Sequence, residues 1–250
     1  MATTSDRIGS IAEDEKDRIV RASLWDTTFT CFAPETIVKM PYYFATEISC
    51  AVNTTSSLNQ FKVNSIYDFD LTGGGHQPLG RDTWAAIYNY YKVLETRLHV
   101  KVTTQTYDVQ TVPGGTGANV QFPVYVGGLL DITATPPSSL TQWQEAARSG
   151  GNQKQMHFSN IDKISSIASR GKSFTVFDMT WTPEMFEQAI IEGYANTQWV
   201  PVGSDPGDIN YFTVLYSNIN NGAKDVYVEV TAEFLVAFKQ VNRTLLYTTN

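Results

Sequence analysis

The sequence predicts an all-β fold, a single eight-stranded antiparallel jelly-roll sandwich with short helices in the connecting loops. Three observations lead to this class. About eight segments alternate apolar and polar residues with the period of two that is typical of half-buried strands, Gly, Asn, Asp or Pro bound most of them, and no strand–helix–strand rhythm indicates a parallel sheet. With 250 residues, of which 42% are hydrophobic, the chain is long enough for one undivided β core.

The last strand shows the clearest alternation. Apolar residues occupy every second position, namely Val226, Val228, Val230, Ala232, Phe234, Val236 and Phe238. Polar residues on the opposite side are Glu229, Thr231, Glu233 and Lys239. A strand with so long an apolar ladder is expected in the middle of a sheet. A second long strand, residues 92–103, places Leu94, Leu98, Val100 and Val102 against Glu95, Arg97, His99 and Lys101.

The other elements are shorter. Strands are predicted at residues 43–52, within an extended segment that begins near residue 36, and at residues 60–65, 119–126, 155–159, 172–181 and 209–217. Pro123 indicates an edge or a bulge in the third of these. Helices are predicted in three connections, at residues 82–91, 140–148 and 183–194, the last with Thr182 as its cap and Pro183 in its first turn.

Two parts of the chain are expected, an N-terminal arm of residues 1–24 and a jelly-roll domain of residues 25–250. The arm carries four basic and five acidic residues, so it is nearly neutral. Isoleucines at positions 8, 11 and 19 with Val20 suit either a short amphipathic turn that docks on a neighbouring molecule or a frayed terminus. No internal repeat divides the remainder.

The overall charge argues against a generally basic surface. The formal net charge is −7, so any polyanionic partner needs a local basic patch. The two cysteines, Cys31 and Cys50, are expected to be buried free thiols of a protein made in a reducing compartment. No apolar stretch is long enough to predict insertion into a membrane, and no signal peptide is recognisable at the N-terminus.

The most distinctive stretch is Asn59 to Trp84, which reads NQFKVNSIYDFDLTGGGHQPLGRDTW. A strand ends in the pair Asn64-Ser65 and is followed by a loop rich in tyrosine, aspartate and glycine. The loop continues through His76-Gln77-Pro78 into a short aromatic-rich helix and then into the strand at residues 92–103. Glycines permit close backbone approach and Pro78 stiffens the exit, so the loop is expected to fold back sharply.

This stretch resembles the coat proteins of small circular Rep-encoding single-stranded DNA viruses, the circovirus-like or CRESS-DNA group. The resemblance is specific between residues 61 and 102, and strand order extends it over about residues 36–240. It implies a jelly-roll capsid protein that assembles with itself into an icosahedral T=1 shell of sixty copies around a circular single-stranded DNA genome. It also implies a place in the virion, synthesis in the host cytoplasm with assembly there or in the nucleus, and a host receptor. The alternatives are a capsid protein of a related small positive-strand RNA virus and a lectin-like binding module.

Two sets of residues are candidates for these contacts. Aromatic and polar groups in the loop are predicted to form subunit contacts, and the set is Tyr67, Asp68, Phe69, Asp70, Gly73, Gly74, Gly75, His76, Gln77, Pro78, Arg81 and Trp84. The expected basic arm is missing, so contact with the genome is predicted for scattered cations, whose alternative is an ordinary solvated charge. These cations are Arg7, Arg18, Arg21, Lys39, Lys62, Lys92, Arg97 and Lys101.

No pattern points to catalysis or to a cofactor. The three glycines before His76 lack the Gly-Lys-Ser/Thr of a phosphate-binding loop. The spacing of Asp68, Asp70 and His76 matches neither an EF-hand nor a zinc signature, so no metal site is predicted, with calcium shared between subunits as the alternative. Carboxylates at positions 184, 187 and 192 suit the solvated face of a helix. The sequence therefore predicts a structural protein and not an enzyme.

Overall fold

The structure is a computed structural model. It describes residues 32–50, 57–71, 75–104, 124–137, 139, 141–143, 145, 156–161, 174–185, 199–218 and 224–242. The predicted arm, residues 1–24, lies outside the described residues, as do Cys31 and the side chain of Cys50.

Strands dominate the described part of the chain. They are β1 (Glu35–Cys50), β2 (Ser57–Lys62), β3 (Tyr88–Thr104), β4 (Val124–Asp131), β5 (Met156–Ile161), β6 (Phe174–Trp181), β7 (Val200–Pro201), β8 (Tyr211–Asn218) and β9 (Lys224–Val241). The described residues also include one α-helix, α1 (Arg81–Ile87), and one 3-10 turn, Pro183–Met185. None of the helices described is long and apolar enough to cross a membrane.

The strands form two antiparallel sheets. Sheet A has the order β1-β9-β3-β6, with the two-residue β7 also paired to β3, and sheet B has the order β2-β8-β4-β5. The chain passes repeatedly between the two sheets, so that β1, β3, β6 and β9 lie in one and β2, β4, β5 and β8 in the other. Apart from the two-residue β7, these are two four-stranded sheets, and two such sheets wound in this way are a jelly roll. The predicted fold class is confirmed.

Strand β9 lies in the middle of sheet A, as predicted. It pairs with the whole length of β1, from Glu35↔Lys239 to Cys50↔Lys224, and with β3 on its other side. The alternating residues Val226 to Phe238 are fully buried between the sheets. Strand β9 therefore places seven side chains in the main core cluster, more than any other described strand.

The predicted helix at residues 82–91 is too long at its C-terminal end. Helix α1 ends at Ile87, and β3 begins at Tyr88. Tyr88 pairs with Val241 and Tyr91 with Phe238, so sheet pairing and burial of these rings override the helical pattern. Of the other two predicted helices, residues 141–143 are helical and Pro183–Met185 form a 3-10 turn, while most of the remaining residues lie outside the described ranges.

Two adjacent glycines in β4 allow side chains to approach both sides of sheet B. A Cβ atom on Gly128 would lie 2.5 Å from the Phe177 ring and 3.0 Å from the Met179 sulfur, both of which reach across from β6 of sheet A. A Cβ atom on Gly127 would lie 3.0 Å from the Trp143 ring on the outer side. Phe177 fills the core from one side, and Trp143 covers the back of sheet B with Leu129 and Leu215.

Candidate subunit-contact loop and charged sheet face

The loop of residues 63–80 is attached to β2 by its own backbone. The Lys62 amide donates a hydrogen bond to the Phe69 carbonyl at 2.7 Å, and the Leu71 amide donates to the Gln60 carbonyl at 3.1 Å. Phe61 and Asp70 form an antiparallel bridge. The loop therefore folds back on the strand that precedes it, as the sequence predicts.

This pairing turns part of the loop into the subunit's own core. The Phe69 ring packs edge-on against Tyr42 at 4.7 Å and Phe234 at 5.0 Å, measured between ring centroids, and stacks with Phe61 at 5.0 Å. Asp70 and Pro78 are also buried. In the subunit as described these three predicted contact residues are buried, and the bridge to β2 accounts for the inward orientation of Phe69 and Asp70.

Other residues of the loop face outward on rigid supports. The Tyr67 ring is 38% exposed and lies 5.1 Å from the Arg81 guanidinium, and Gln77 Nε2 donates to the Tyr67 carbonyl at 2.7 Å. The exposed His76 ring stacks on Tyr42 at 4.5 Å. Leu79 is 74% exposed, although it is not among the predicted contact residues. These groups present an apolar and aromatic surface whose backbone is already fixed.

Gly75 is needed for close approach. A Cβ atom at this position would lie 2.6 Å from the Asp70 Cβ and 2.8 Å from the Tyr42 hydroxyl oxygen. The other two glycines of the predicted contact set, Gly73 and Gly74, lie outside the described residues.

Helix α1 closes one end of the sandwich. It begins after Gly80, whose φ of 85° is left-handed, and Arg81 donates to the Val202 carbonyl and to Asp82. The half-buried Trp84 stacks on Tyr88 and Phe238, with centroids 6.1 and 5.9 Å away. Trp84 therefore packs mainly on its own subunit.

A partly buried ion-pair network joins the loop to the segment before β8. The Lys62 side chain is only 8% exposed, and its Nζ lies 2.9 Å from Asp68 Oδ2 and 2.8 Å from Asp205 Oδ2. Ser65 Oγ donates to Asp205 Oδ1 at 2.6 Å. Burial acts to lower the pKa of Lys62, but the hydrogen bonds and charges of the two aspartates outweigh it and raise that pKa. The charge of Lys62 is therefore balanced by two carboxylates of its own subunit.

Asparagines fasten the same two segments. Asn64 Nδ2 donates to the Asp208 carbonyl at 2.7 Å, and the Asn210 amide donates to Asn64 Oδ1 at 2.9 Å. Trp181 Nε1 donates to Asn210 Oδ1 at 3.0 Å inside the core. In the sequence, the Asn64-Ser65 pair stands out only as part of the resemblance, and Asp205 and Asn210 are not predicted at all. Their one local signal is the turn-forming run from Gly203 to Asp208.

Tyr91 gives this region a dependence on alkaline pH. Its hydroxyl donates to the Ser204 carbonyl at 3.0 Å, and burial, the largest cause, raises its pKa from 10.0 to about 12. An unfolded chain ionises this group near pH 10, so the stability that comes from the neutral phenol is lost as pH rises from 10 to 12. We expect the stability advantage of the wild type over Tyr91→Phe in urea unfolding at pH 8 to shrink or reverse by pH 11.5. A constant difference would contradict this assignment.

The outer face of sheet A carries the other predicted nucleic-acid contacts. Lys39 Nζ lies 3.0 Å from Glu233, Arg97 Nε lies 2.5 Å from Glu95, and Lys101 Nζ lies 2.6 Å from Glu229. The Glu229 pKa is lowered by hydrogen bonds from Lys101 and Tyr43. Each of these cations is thus paired with a carboxylate of its own subunit.

The remaining predicted cations divide into two groups. Lys92 is buried and interacts within the fold. Arg7, Arg18 and Arg21 lie outside the described residues. Within the described ranges, no group of three or more His, Cys, Asp or Glu side chains is placed to hold a metal ion. What the described geometry brings together is an outward-facing loop on rigid supports and an extended sheet face of paired charges.

No protein family model matches the chain, and no curated protein matches it. Viral structures are among the solved structures to which the chain is similar. The semi-empty VLP of the nodavirus of the giant freshwater prawn Macrobrachium rosenbergii is 11% identical, with a TM-score of 0.42, over 85% of this chain and 99% of that chain. The 60-mer BFDV capsid protein is 11% identical, with a TM-score of 0.42, over 84% and 96%.

Cocksfoot mottle virus is 13% identical, with a TM-score of 0.39, over 83% of this chain and 96% of that chain. The fold class does not depend on these likenesses, since strand order and register define the jelly roll directly.

Proposed function

We propose that the chain is a capsid protein, a structural subunit without enzymatic activity that self-assembles into a small icosahedral shell. The proposal rests on one combination, the jelly-roll strand order together with the exposed side chains of Tyr67, His76 and Leu79 on a loop whose described backbone is hydrogen-bonded to β1 and β2. Jelly rolls serve as viral capsid and lectin domains. The resemblance of residues 61–102 to circovirus-like coat proteins supports the first of these.

Rigid, outward-facing loops suit assembly because little conformational entropy is lost when copies associate. Tyr67, His76 and Leu79 offer aromatic and apolar contact area, and their supports are already formed by Arg81, Tyr42 and the backbone of β1. Closed shells arise when identical contacts repeat around symmetry axes. The loop is accordingly proposed to lie at such an axis.

The finer proposal is a T=1 shell of sixty copies that encloses a circular single-stranded DNA genome and binds a host receptor through exposed loops. Because Lys39, Arg97 and Lys101 are paired with carboxylates, genome contact is assigned to Arg7, Arg18 and Arg21 of the arm. The mature location would be the virion, after synthesis in the host cytoplasm, with assembly in the cytoplasm or the nucleus.

Electron microscopy and sedimentation of the purified protein test this function. We expect closed particles, and sixty copies of a 27.8-kDa chain give a mass of about 1.7 MDa. We expect the particles to protect nucleic acid from added nuclease. Once extracted from the particles, this nucleic acid should be digested by DNase and not by RNase. Monomers alone over a wide range of salt and pH would overturn the proposal, protected RNA would indicate the positive-strand RNA class, and a stereospecific glycan hit without particles would indicate the lectin-like class.

Leu79→Asp is expected to prevent assembly without unfolding the subunit. Leu79 is 74% exposed, so a charge there costs the isolated subunit little but is costly when desolvated between copies. Light scattering should show a critical concentration raised by at least about tenfold, with an unchanged melting temperature of the subunit. Leu79→Met is the matched control and should assemble normally. Normal particles from Leu79→Asp would remove Leu79 from the contact.

A further inference from the structure

The outer face of sheet A is exposed in its middle rows, where no described element covers it. Strand pairing arranges it in four cross-strand rows, taken in the order β1, β9, β3, β6. They are Pro41, Glu233, Arg97 and Thr180; Tyr43, Thr231, His99 and Asp178; Ala45, Glu229, Lys101 and Val176; and Glu47, Tyr227, Thr103 and Phe174.

Within these four rows the charges of the two middle strands are sorted by strand, whereas Glu95, which pairs with Arg97, lies on β3 just beyond them. The β9 column exposes the carboxylates Glu229 and Glu233, and the adjacent β3 column exposes Arg97, His99 and Lys101. Ion pairs within the subunit, such as Lys101 to Glu229 at 2.6 Å, hold the side chains in these columns. The result is an acidic stripe beside a basic stripe, running along the middle of the sheet.

Two adjacent stripes of opposite sign are complementary to themselves. A twofold axis that runs along the strands, midway between β9 and β3, lays the β9 column of one copy over the β3 column of a second copy. Glu229 then faces Lys101 of the second copy and Glu233 faces its Arg97, and the reciprocal pairs form by symmetry. Carboxylates accept several hydrogen bonds, so each can serve a cation in both copies.

We propose that a second copy of this chain docks face to face on sheet A about this axis, an inference that rests on the proposed function and names one of its contacts. The outer columns fit the same axis. Tyr43 on β1 faces Asp178 on β6 of the second copy, a phenol opposite a carboxylate. Ala45 faces Val176, so the partly exposed valine gains an apolar neighbour.

The size and composition of the face agree with a protein contact. The four rows span seven residues of each strand, and four strands about 4.8 Å apart over that length cover roughly 450 Å² per copy, about 900 Å² in total, the size of a weak contact between copies. Phe174, Tyr43, Val176 and Tyr227 are between 38% and 59% exposed, an unusual density of large apolar groups on one open face. Paired cations leave no excess positive charge for phosphates, which disfavours nucleic acid as the occupant.

Charge reversal by column tests the contact, because each reversed face repels itself but attracts the other. The acidic variant is Arg97→Glu with Lys101→Glu, and the basic variant is Glu229→Lys with Glu233→Lys. Each alone should associate about a hundredfold more weakly than the wild type in sedimentation. An equimolar mixture of the two should recover association to within about tenfold, as should the chain that carries all four substitutions.

Neutral variants keep the test valid if reversal disturbs folding. Arg97→Gln with Lys101→Gln, mixed with Glu229→Gln with Glu233→Gln, should show no recovery on mixing, and melting curves of every variant report the fold. Recovery on mixing only for the charged pair supports the contact. If every variant forms particles as well as the wild type does, the face contact is overturned but the capsid function is not. If the acidic variant loses bound DNA and mixing does not restore association, the face is assigned to nucleic acid instead.

Wild-type behaviour separates this proposal from the proposed function. Dimers that obey the mixing rule but never close into particles would support the face contact and overturn the capsid function. Wild-type monomers at all concentrations would overturn both.

Discussion

Gly128→Val is expected to lower the free energy of unfolding of the subunit by about 3 kcal/mol, measured by urea denaturation of dissociated subunits. The added Cβ would lie 2.5 Å from the Phe177 ring and 3.0 Å from the Met179 sulfur, so one sheet must move away from the other or Phe177 must leave its site. Both outcomes open a core that is otherwise closely packed. The loss should be seen without any change in the exposed loops.

A matched glycine and a double mutant isolate the cause. A Cβ atom on Gly207 meets nothing within 4 Å, so Gly207→Ala should change stability by less than about 0.5 kcal/mol. When Phe177→Leu is combined with Gly128→Val, the double mutant should lose less free energy of unfolding than the sum of the two single changes, since the smaller Leu side chain vacates the volume that the new Val side chain needs. Strict additivity of the two changes would show that Gly128 and Phe177 do not share space.

Asp205→Ala is expected to cost about 3 kcal/mol of the free energy of unfolding. Lys62 would keep its partner Asp68, but its buried ammonium would lose the 2.8 Å contact with Asp205, and Ser65 would lose its acceptor. The loop of residues 63–80 would also lose a tie to the segment before β8, so we expect weaker assembly in light scattering.

Lys39→Ala is the matched control for this ion pair. Lys39 and Glu233 lie 3.0 Å apart, but both side chains are well exposed, so the substitution should cost less than about 1 kcal/mol. Equal losses from Asp205→Ala and Lys39→Ala would mean that burial does not set the strength of the Lys62 network.

The long elements of this fold are readable in the sequence, and their ends are not. Seven alternating apolar residues in β9 exclude a helix and predict a central strand with a neighbour on each side. In sheet A these neighbours are β1 and β3. The sequence predicts helix where β3 begins, because the run Tyr88-Asn89-Tyr90-Tyr91 shows no clear alternation of apolar and polar residues. Pairing with Val241 and Pro201, which are far along the chain, decides its conformation.

The candidate site was predicted as a segment but not as a set of contacts. Sharp reversal of the loop follows from its glycines, yet the inward orientation of Phe69 depends on the bridge between Phe61 and Asp70. Lys62 looked like a surface cation because its partner Asp205 is 143 positions away. Composition and spacing carry no information about such distant pairs, so burial of a charge is visible only in three dimensions.

The central position of β9 has a consequence for the time course of folding. The side chains of Lys39 and Glu233, which meet across β1 and β9, are 194 positions apart, and β9 also separates β1 from β3. Sheet A therefore cannot close until β9 has been synthesised, and contacts of such long range make folding slow. Until then β1 and β3 expose unpaired edges, so the rate at which finished subunits appear, more than their rate of encounter, is expected to govern how fast larger assemblies grow.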